Sequence, residues 1–297
     1  MRLRIGTRGS RLALAQAREV AELLEDRSGI EAELVTILTA GDRGASPQAS
    51  PAGVKGLFVA EISAALSRGD VDLAVHSAKD LPSEDPDGIA VVAVPERNLP
   101  YDVLVSREPE VKDGSVVGTS SLRRQALLRR SRPGLEVRDV RGNVDTRLRR
   151  MDEGAFDGVV LAGAGLARLG IAPRHAAPLP VDEMVPAPGQ GALAIQGREG
   201  GAGAEVAASL DHPPSRAAFE AERRLVALLG GGCRLPLGAY AEWRDERVRL
   251  LAVVTRPDGS DLLWSQVEAA SPHEAAEEAA VSLIEAGARK ILEEAGG

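Results

Sequence analysis

A chain of 297 residues has room for about two domains of ~150 residues, or three smaller ones, each with a real hydrophobic core. A net charge of −8 and an aromatic share of 2% argue against a general binder of nucleic acid or anionic membranes. The lone cysteine, Cys233, excludes an intrachain disulfide and any multi-cysteine metal site. No run approaches ~18 consecutive apolar residues and no apolar leader follows Met1, so neither a membrane span nor a secretory leader is expected, and the reading is cytoplasmic.

In chain order, Leu3 to Ile5 is a short strand ending at Gly6-Thr7-Arg8-Gly9-Ser10. Ser10 can cap a helix whose apolar face is Ala13, Ala17, Val20, Ala21 and Leu24. Ala32 to Leu38 reads as a strand, and the Gly-, Pro- and Ser-rich stretch Ala40 to Gly56 as a long loop of the kind that usually has a function. A helix over Phe58 to Ser67 follows, then two apolar runs suited to buried strands, Val71 to Val75 and Ile89 to Val94. Beyond Pro100 the strand candidates are Asp102–Val105, Val116–Val117, Glu136–Val140 and Gly158–Leu161, with helices near Ser121–Arg130 and Val144–Met151. Alternating strands and helices predict parallel, doubly wound sheets. Pro178 to Gly191, with four Pro and two Gly, reads as a hinge or crossover. The last part differs: a helix near Ser215–Leu229 leads into Gly230-Gly231-Gly232-Cys233. Strands near Ala239–Trp243, Val248–Thr255 and Leu262–Val267 follow, and a helix opens at the capping box Ser271-Pro272-His273-Glu274. That order predicts a small α+β domain.

The charge is unevenly placed. Of 36 basic residues 32 are Arg, and ten of these lie between Arg123 and Arg150 beside three acids, so this segment carries +7 inside an acidic chain. Thr119-Ser120-Ser121-Leu122-Arg123-Arg124 puts three hydroxyls and free backbone N–H groups where a strand gives way to a helix, an anion-binding arrangement. Arg141-Gly142-Asn143-Val144-Asp145-Thr146-Arg147 repeats it at the next junction. Guanidinium groups grip carboxylate or phosphate bidentately. For Arg129, Arg130, Arg132, Arg149 and Arg150 the plainer reading is a solvated helix face. His76-Ser77-Ala78-Lys79-Asp80-Leu81-Pro82 follows a buried strand, the end at which open α/β sheets bind ligands, although Lys-Asp after a strand is commonly just a surface loop and His76 a packed strand-end histidine. A lone cysteine is most often structural. Three glycines before Cys233 nevertheless favour an accessible loop, and Arg234 beside it favours the thiolate.

These segments converge on a family. Arg4 to Ser10 with Leu12-Ala13-Leu14 and Gln16, Lys55-Gly56-Leu57-Phe58, His76 to Pro82 and Gly118 to Gln125 resemble porphobilinogen deaminase (hydroxymethylbilane synthase). So do Arg141-Gly142-Asn143-Val144 with Thr146-Arg147, Leu161-Ala162 with Gly165-Leu166 and Arg168-Leu169-Gly170, Pro186 to Ala192, and Gly231 to Arg234 with Pro236 to Tyr240. The blocks run in the family's order from residue 4 to residue 240.

The resemblance implies an α/β fold of two doubly wound lobes like type II periplasmic binding proteins, with the active cleft between them, plus a small α+β C-terminal domain. Residues 1–96 with 192–211 would form the first lobe, 97–191 the second and 212–297 the third domain. It implies an enzyme that condenses four porphobilinogen molecules onto a dipyrromethane cofactor, attached by a thioether to Cys233, and releases hydroxymethylbilane by hydrolysis. Asp80 matches the catalytic aspartate. Lys79, Asp80, Ser77, Thr119, Ser120, Ser121, Arg123, Arg124 and Arg141 match cofactor contacts; Arg8, Ser10, Gln16, Arg141, Arg147, Arg168 and Gln190 match substrate contacts; Lys55 and Phe58 match a lid. No metal is implied. The implied protein is a monomer whose product passes to uroporphyrinogen III synthase, with no nucleic-acid or membrane partner. A non-catalytic two-lobed binder of an anionic small ligand is the alternative, with an Arg-rich nucleic-acid module behind it. The chain departs from the family pattern at Pro51, where many relatives carry Lys, at Ala15, where Trp is frequent, and at Gln196-Gly197, where Glu-Cys is usual.

Overall fold

The computed structural model describes residues 2–37, 53–230 and 235–296, with the backbone alone for 53–58 and 296. The predicted loop from Ala40 therefore lies largely outside the described residues. The helix expected from Phe58 already begins at Gly53, because two glycines and a lysine, poor signals of a helix start, are carried into it.

Two five-stranded sheets and one three-stranded sheet organise the described residues. The first contains β1 (Leu3–Thr7), β2 (Ala32–Thr36), β3 (Leu73–Ser77), β4 (Ile89–Ala93) and β10 (Leu193–Arg198), in the order β2-β1-β3-β10-β4. Helices α1 (Arg11–Ser28) and α2 (Gly53–Arg68) link its parallel strands. The second contains β5 (Asp102–Ser106), β6 (Val116–Gly118), β7 (Glu136–Arg138), β8 (Gly158–Ala162) and β9 (Ala176–Pro178), in the order β7-β6-β8-β5-β9. Its helices are α3 (Leu122–Ser131), α4 (Val144–Asp152) and α5 (Gly163–Arg168). Both lobes are doubly wound, as expected.

The sheets are mixed rather than wholly parallel. β10 runs antiparallel to β3 and β4, and β5 antiparallel to β8 and β9. The reason is topological: β5 and β10 each enter their sheet from the other one, along residues 94–101 and 179–192, with no crossover helix to turn them parallel. β10 escapes prediction because its LAIQGR sequence breaks a short apolar run with Gln196 and Gly197.

After α6 (Ala202–Ala207), α7 (Pro213–Leu228) leads into an antiparallel meander of β11 (Leu237–Arg244), β12 (Arg247–Thr255) and β13 (Leu262–Ala269). Helices α8 (Pro272–Glu285) and α9 (Ala288–Gly296) follow. The core of this unit is largely alanine, Ala221, Ala275, Ala276 and Ala279 among them, around Leu225, Leu250 and Leu283. Small side chains let α7 and α8 lie close to each other and to the sheet, which a chain poor in aromatics needs. No helix among the described residues is long and apolar enough to cross a membrane.

One buried ion pair ties the two crossings to the third unit. Glu222 of α7 accepts from Arg97 Nη1 at 2.7 Å on the first crossing, from Gly189 N at 2.5 Å on the second, and from Ala241 N of β11 at 2.7 Å. Arg97 also donates to the Gln190 carbonyl at 2.8 Å. Both oxygens of this carboxylate are engaged, which makes a fully buried charge tolerable.

Candidate active site

The site assembles at the carboxyl ends of β3 and β6. Beyond Ser77 a single 3-10 turn, Ala78–Asp80, carries Lys79 and Asp80 half-exposed while Ala78 is buried. Gln16 of α1 is buried and its Nε2 donates to Ser77 Oγ at 2.6 Å, which fixes the end of the strand. Gly189, at φ 75°, passes directly over the turn: a Cβ there would lie 2.8 Å from the backbone of Ala78 and Lys79. Only glycine combines that left-handed backbone with so close an approach.

From Lys79 a hydrogen-bonded chain runs to the second lobe. Its Nζ donates to Gln190 Oε1 at 3.3 Å, and Gln190 Nε2 donates to Asp102 Oδ1 at 2.7 Å and to the Pro100 carbonyl at 2.8 Å. Asp102, the first residue of β5, receives Arg123 Nη2 at 2.8 Å and Arg124 Nη2 at 2.7 Å. Arg123 also holds the Val185 carbonyl and Arg124 the Val160 carbonyl, at 2.5 and 2.9 Å. Burial works against ionisation of Asp102, but the guanidiniums of Arg124 and Arg123 outweigh it and hold the carboxyl well below the usual carboxylate range. Local sequence patterning does not single out Asp102, although an acid that opens a buried strand needs cations or hydrogen-bond donors around it.

The arginines expected to line an anion wall are partly engaged in internal pairing. Arg123 and Arg124 are buried against Asp102, though Arg124 Nε remains a buried donor with no hydrogen bond among the described residues. Arg147 is half-buried, donates from Nε to the Gly142 carbonyl at 2.8 Å, and forms no ion pair among the described residues. Burial and the adjacent charge of Arg124 push it down to about 10. Arg141 is exposed beside it. Arg168 is brought instead to α1, where Nε meets Glu19 at 2.7 Å, and it donates to the Gly191 carbonyl at 3.2 Å. Arg8 is half-buried in the turn between β1 and α1.

The hydroxyls serve the backbone first. Ser10 and Ser121 cap α1 and α3, accepting from Ala13 N and Arg124 N, while Ser120 Oγ donates to the Val140 carbonyl at 2.9 Å. Thr119 is fully buried and accepts from Ser121 N. A capping hydroxyl uses its oxygen as acceptor, which leaves the O–H of Ser10 and of Ser121 as a donor. Cys233 and Arg234 lie outside the described residues, as do the side chains of Lys55 and Phe58.

With two guanidiniums converging on one buried carboxylate, an ammonium reaching it through Gln190, and Arg141 and Arg147 unopposed beside them among the described residues, the wall has an excess of positive charge that a polycarboxylate would satisfy. The orphaned Arg124 Nε and the crowding of Arg147 by Arg124 fit an anionic group held at the β6–α3 junction. Asp80 ends the 3-10 turn of the other lobe, next to Lys79, whose ammonium is linked to this wall through Gln190.

The family model described as porphobilinogen deaminase, dipyromethane cofactor binding domain matches residues 3–205, and that of the porphobilinogen deaminase C-terminal domain matches residues 217–286. A porphobilinogen deaminase of Desulforudis audaxviator is 46% identical over 97% of this chain and 96% of its own length. One of Thermus thermophilus is 44% identical over 97% of each. Among solved structures, the methionine-binding protein MetQ aligns with 70% of this chain and 89% of its own, at 15% identity and a TM-score of 0.43. Two family models covering most of the chain, and relatives above two-fifths identity over 97% of it, establish that it belongs to the porphobilinogen deaminase family.

Proposed function

We propose that this chain condenses four porphobilinogen molecules, each with loss of ammonia, onto a dipyrromethane primer joined by a thioether to Cys233, and then releases hydroxymethylbilane by hydrolysis. The observation that carries this reading is the chain Lys79–Gln190–Asp102–Arg123/Arg124, which couples the turn bearing Asp80 to the arginine wall. The primer supplies the pyrrole carbon that is extended. Arg124 and Arg141, with the Ser121 hydroxyl and Lys79, hold its acetate and propionate groups. Arg8, Arg147 and Arg168 take the carboxylates of incoming substrate, with Ser10 and Gln16 beside them. Bidentate guanidinium contacts suit carboxylates spaced along a growing chain, and each addition brings two more.

Asp80 acts where charge develops. Departure of ammonia from the substrate's aminomethyl group leaves a cation delocalised over the pyrrole ring. A carboxylate beside that ring stabilises the cation and accepts the proton lost when aromaticity returns. Lys55 and Phe58, at the N-terminal end of α2, cover the cleft. The three domains comprise residues 1–96 with 192–211, 97–191, and 212–297. The protein works as a cytoplasmic monomer, and its product is passed to uroporphyrinogen III synthase.

Intact-protein mass spectrometry with Ehrlich's reagent tests the reading. The purified protein should carry the added mass of a dipyrromethane on the Cys233 peptide, and Cys233→Ser should lack it. Asp80→Asn should keep the primer and lose turnover by about 10²-fold or more. An active protein with no added mass and no pyrrole colour, or normal turnover by Asp80→Asn, contradicts it.

A further inference from the structure

The turn that carries Lys79 and Asp80 is a short piece of backbone. Leu81 N closes it on the Ala78 carbonyl at 3.2 Å, and residues 82–88 beyond it form neither helix nor strand before β4 begins. Isolated 3-10 turns have poor hydrogen-bond geometry of their own, so what packs around them decides where they sit. Around this one lies a single face of α7. Phe219, Glu222 and Arg223, spaced i, i+3 and i+4, are neighbours on that face. Phe219 shares a buried cluster with Ala78 and Leu81, the residues on either side of Lys79 and Asp80. Glu222 accepts from Gly189 N, and Gly189 lies over the backbone of Ala78 and Lys79.

Arg223 takes the far side of the turn. Its Nε donates to the Pro82 carbonyl at 3.1 Å, while Nη1 and Nη2 donate to the two oxygens of Asp85, both at 2.9 Å. Asp85 is tied in turn to the sheet. Its Oδ1 also accepts from Gln196 Nε2 at 2.7 Å, and Gln196 of β10 is opposite Ala74 on β3, the strand that leads into the turn. The guanidinium carbon of Arg223 is 5.6 Å from the centre of the Phe219 ring. A planar fork of donors can meet a carbonyl and both oxygens of a carboxylate at once, which an ammonium cannot. The Arg223 and Asp85 side chains are 18% and 21% exposed, so this pair is sheltered, unlike the surface pairs that contribute little.

We propose that Arg223 is a positioning residue for Asp80: by holding Pro82 and Asp85 together it fixes the catalytic turn against α7, the helix that leads toward Cys233. The inference rests on the reading of Asp80 as the catalytic carboxylate and of Cys233 as the primer's attachment point. Gly230 follows α7 directly, and Cys233 comes three residues later in the sequence. The same helix thus grips the turn through Arg223, reaches it through Gly189 by way of Glu222, and runs on into the segment that bears the primer. A misplacement of about 1 Å in a catalytic group can cost on the order of 10²-fold in rate, so the grip of Arg223 bears on turnover as well as on stability.

Kinetics of the holoenzyme test this, with kcat counted per dipyrromethane by Ehrlich's reagent. Arg223→Gln should lower kcat about tenfold and leave KM for porphobilinogen within about twofold. Arg223→Lys keeps the charge without the fork and should lose about threefold; it serves the same comparison if Arg223→Gln does not fold. The deciding measurement is a cycle with Asp80→Asn. In that background the Arg223 substitution should change kcat by less than about twofold, because the group it places is already gone. A purely structural role would alter unfolding and primer loading and leave kcat per primer as it is. Unchanged kcat per primer, a rise in KM in its place, or the same fall in the Asp80→Asn background overturns the inference. Normal turnover by Asp80→Asn with Arg223 intact removes the reading beneath it, so the two failures are distinguishable.

Discussion

At the scale of single residues, Asp102 governs the arginine wall. Its side chain is fully buried, and two guanidiniums and the Gln190 amide share its two oxygens. Removing it leaves two buried cations facing each other. Asp102→Ala is expected to destabilise the fold by about 3–5 kcal/mol at neutral pH, measured by denaturant unfolding. The pH dependence has a definite sign. Because folding depresses this carboxyl, its stabilisation is complete above the ordinary carboxylate pKa of about 3.9 and is lost as pH falls through the lower folded value. The wild-type and Asp102→Ala curves should therefore run parallel near neutrality and converge in acid. A constant gap down to the acid limit contradicts the assignment.

At the scale of elements, helix starts and one turn set the site. Ser10, Ser121 and Asn143 each cap a helix through their own oxygen, which fixes where α1, α3 and α4 begin and so where the flanking arginines stand. The 3-10 turn Ala78–Asp80 is shaped from outside by Gly189, whose missing side chain admits the backbone of Ala78 and Lys79. Gly189→Ala should cost about 1–3 kcal/mol in stability through overpacking and positive φ. It should also lower kcat, because relief of the clash displaces Asp80. Normal kcat in a destabilised Gly189→Ala protein would mean the turn does not depend on that contact.

At the scale of the molecule, both crossings between lobes meet the third unit at Glu222, a buried carboxylate bonded to Arg97, Gly189 and Ala241. The lobes also touch through the exposed Arg11–Asp145 pair and the sheltered Arg168–Glu19 pair. Glu222→Ala should lose about 3–5 kcal/mol, since Arg97 loses its counter-charge and two backbone N–H groups lose their acceptor together. Arg11→Ala should change stability by less than about 1 kcal/mol, as exposed pairs do. Unfolding by denaturant separates the two, and equal effects would refute the clamp.

The sequence by itself was enough for the α/β class, most strands of both lobes, the helix caps and the Arg-rich segment, since these follow from local periodicity and side-chain chemistry. Resemblance along the chain supplied the family. Tertiary structure alone decided that β5 and β10 run antiparallel, because strand direction depends on where the chain re-enters a sheet. It also decided that Arg123 and Arg124 turn toward Asp102, that Arg168 reaches Glu19 on α1, and that Arg141 and Arg147 stay unopposed among the described residues. An arginine's partner lies far along the chain, 149 residues away for Arg168, and no local pattern encodes a contact made only when separate elements pack.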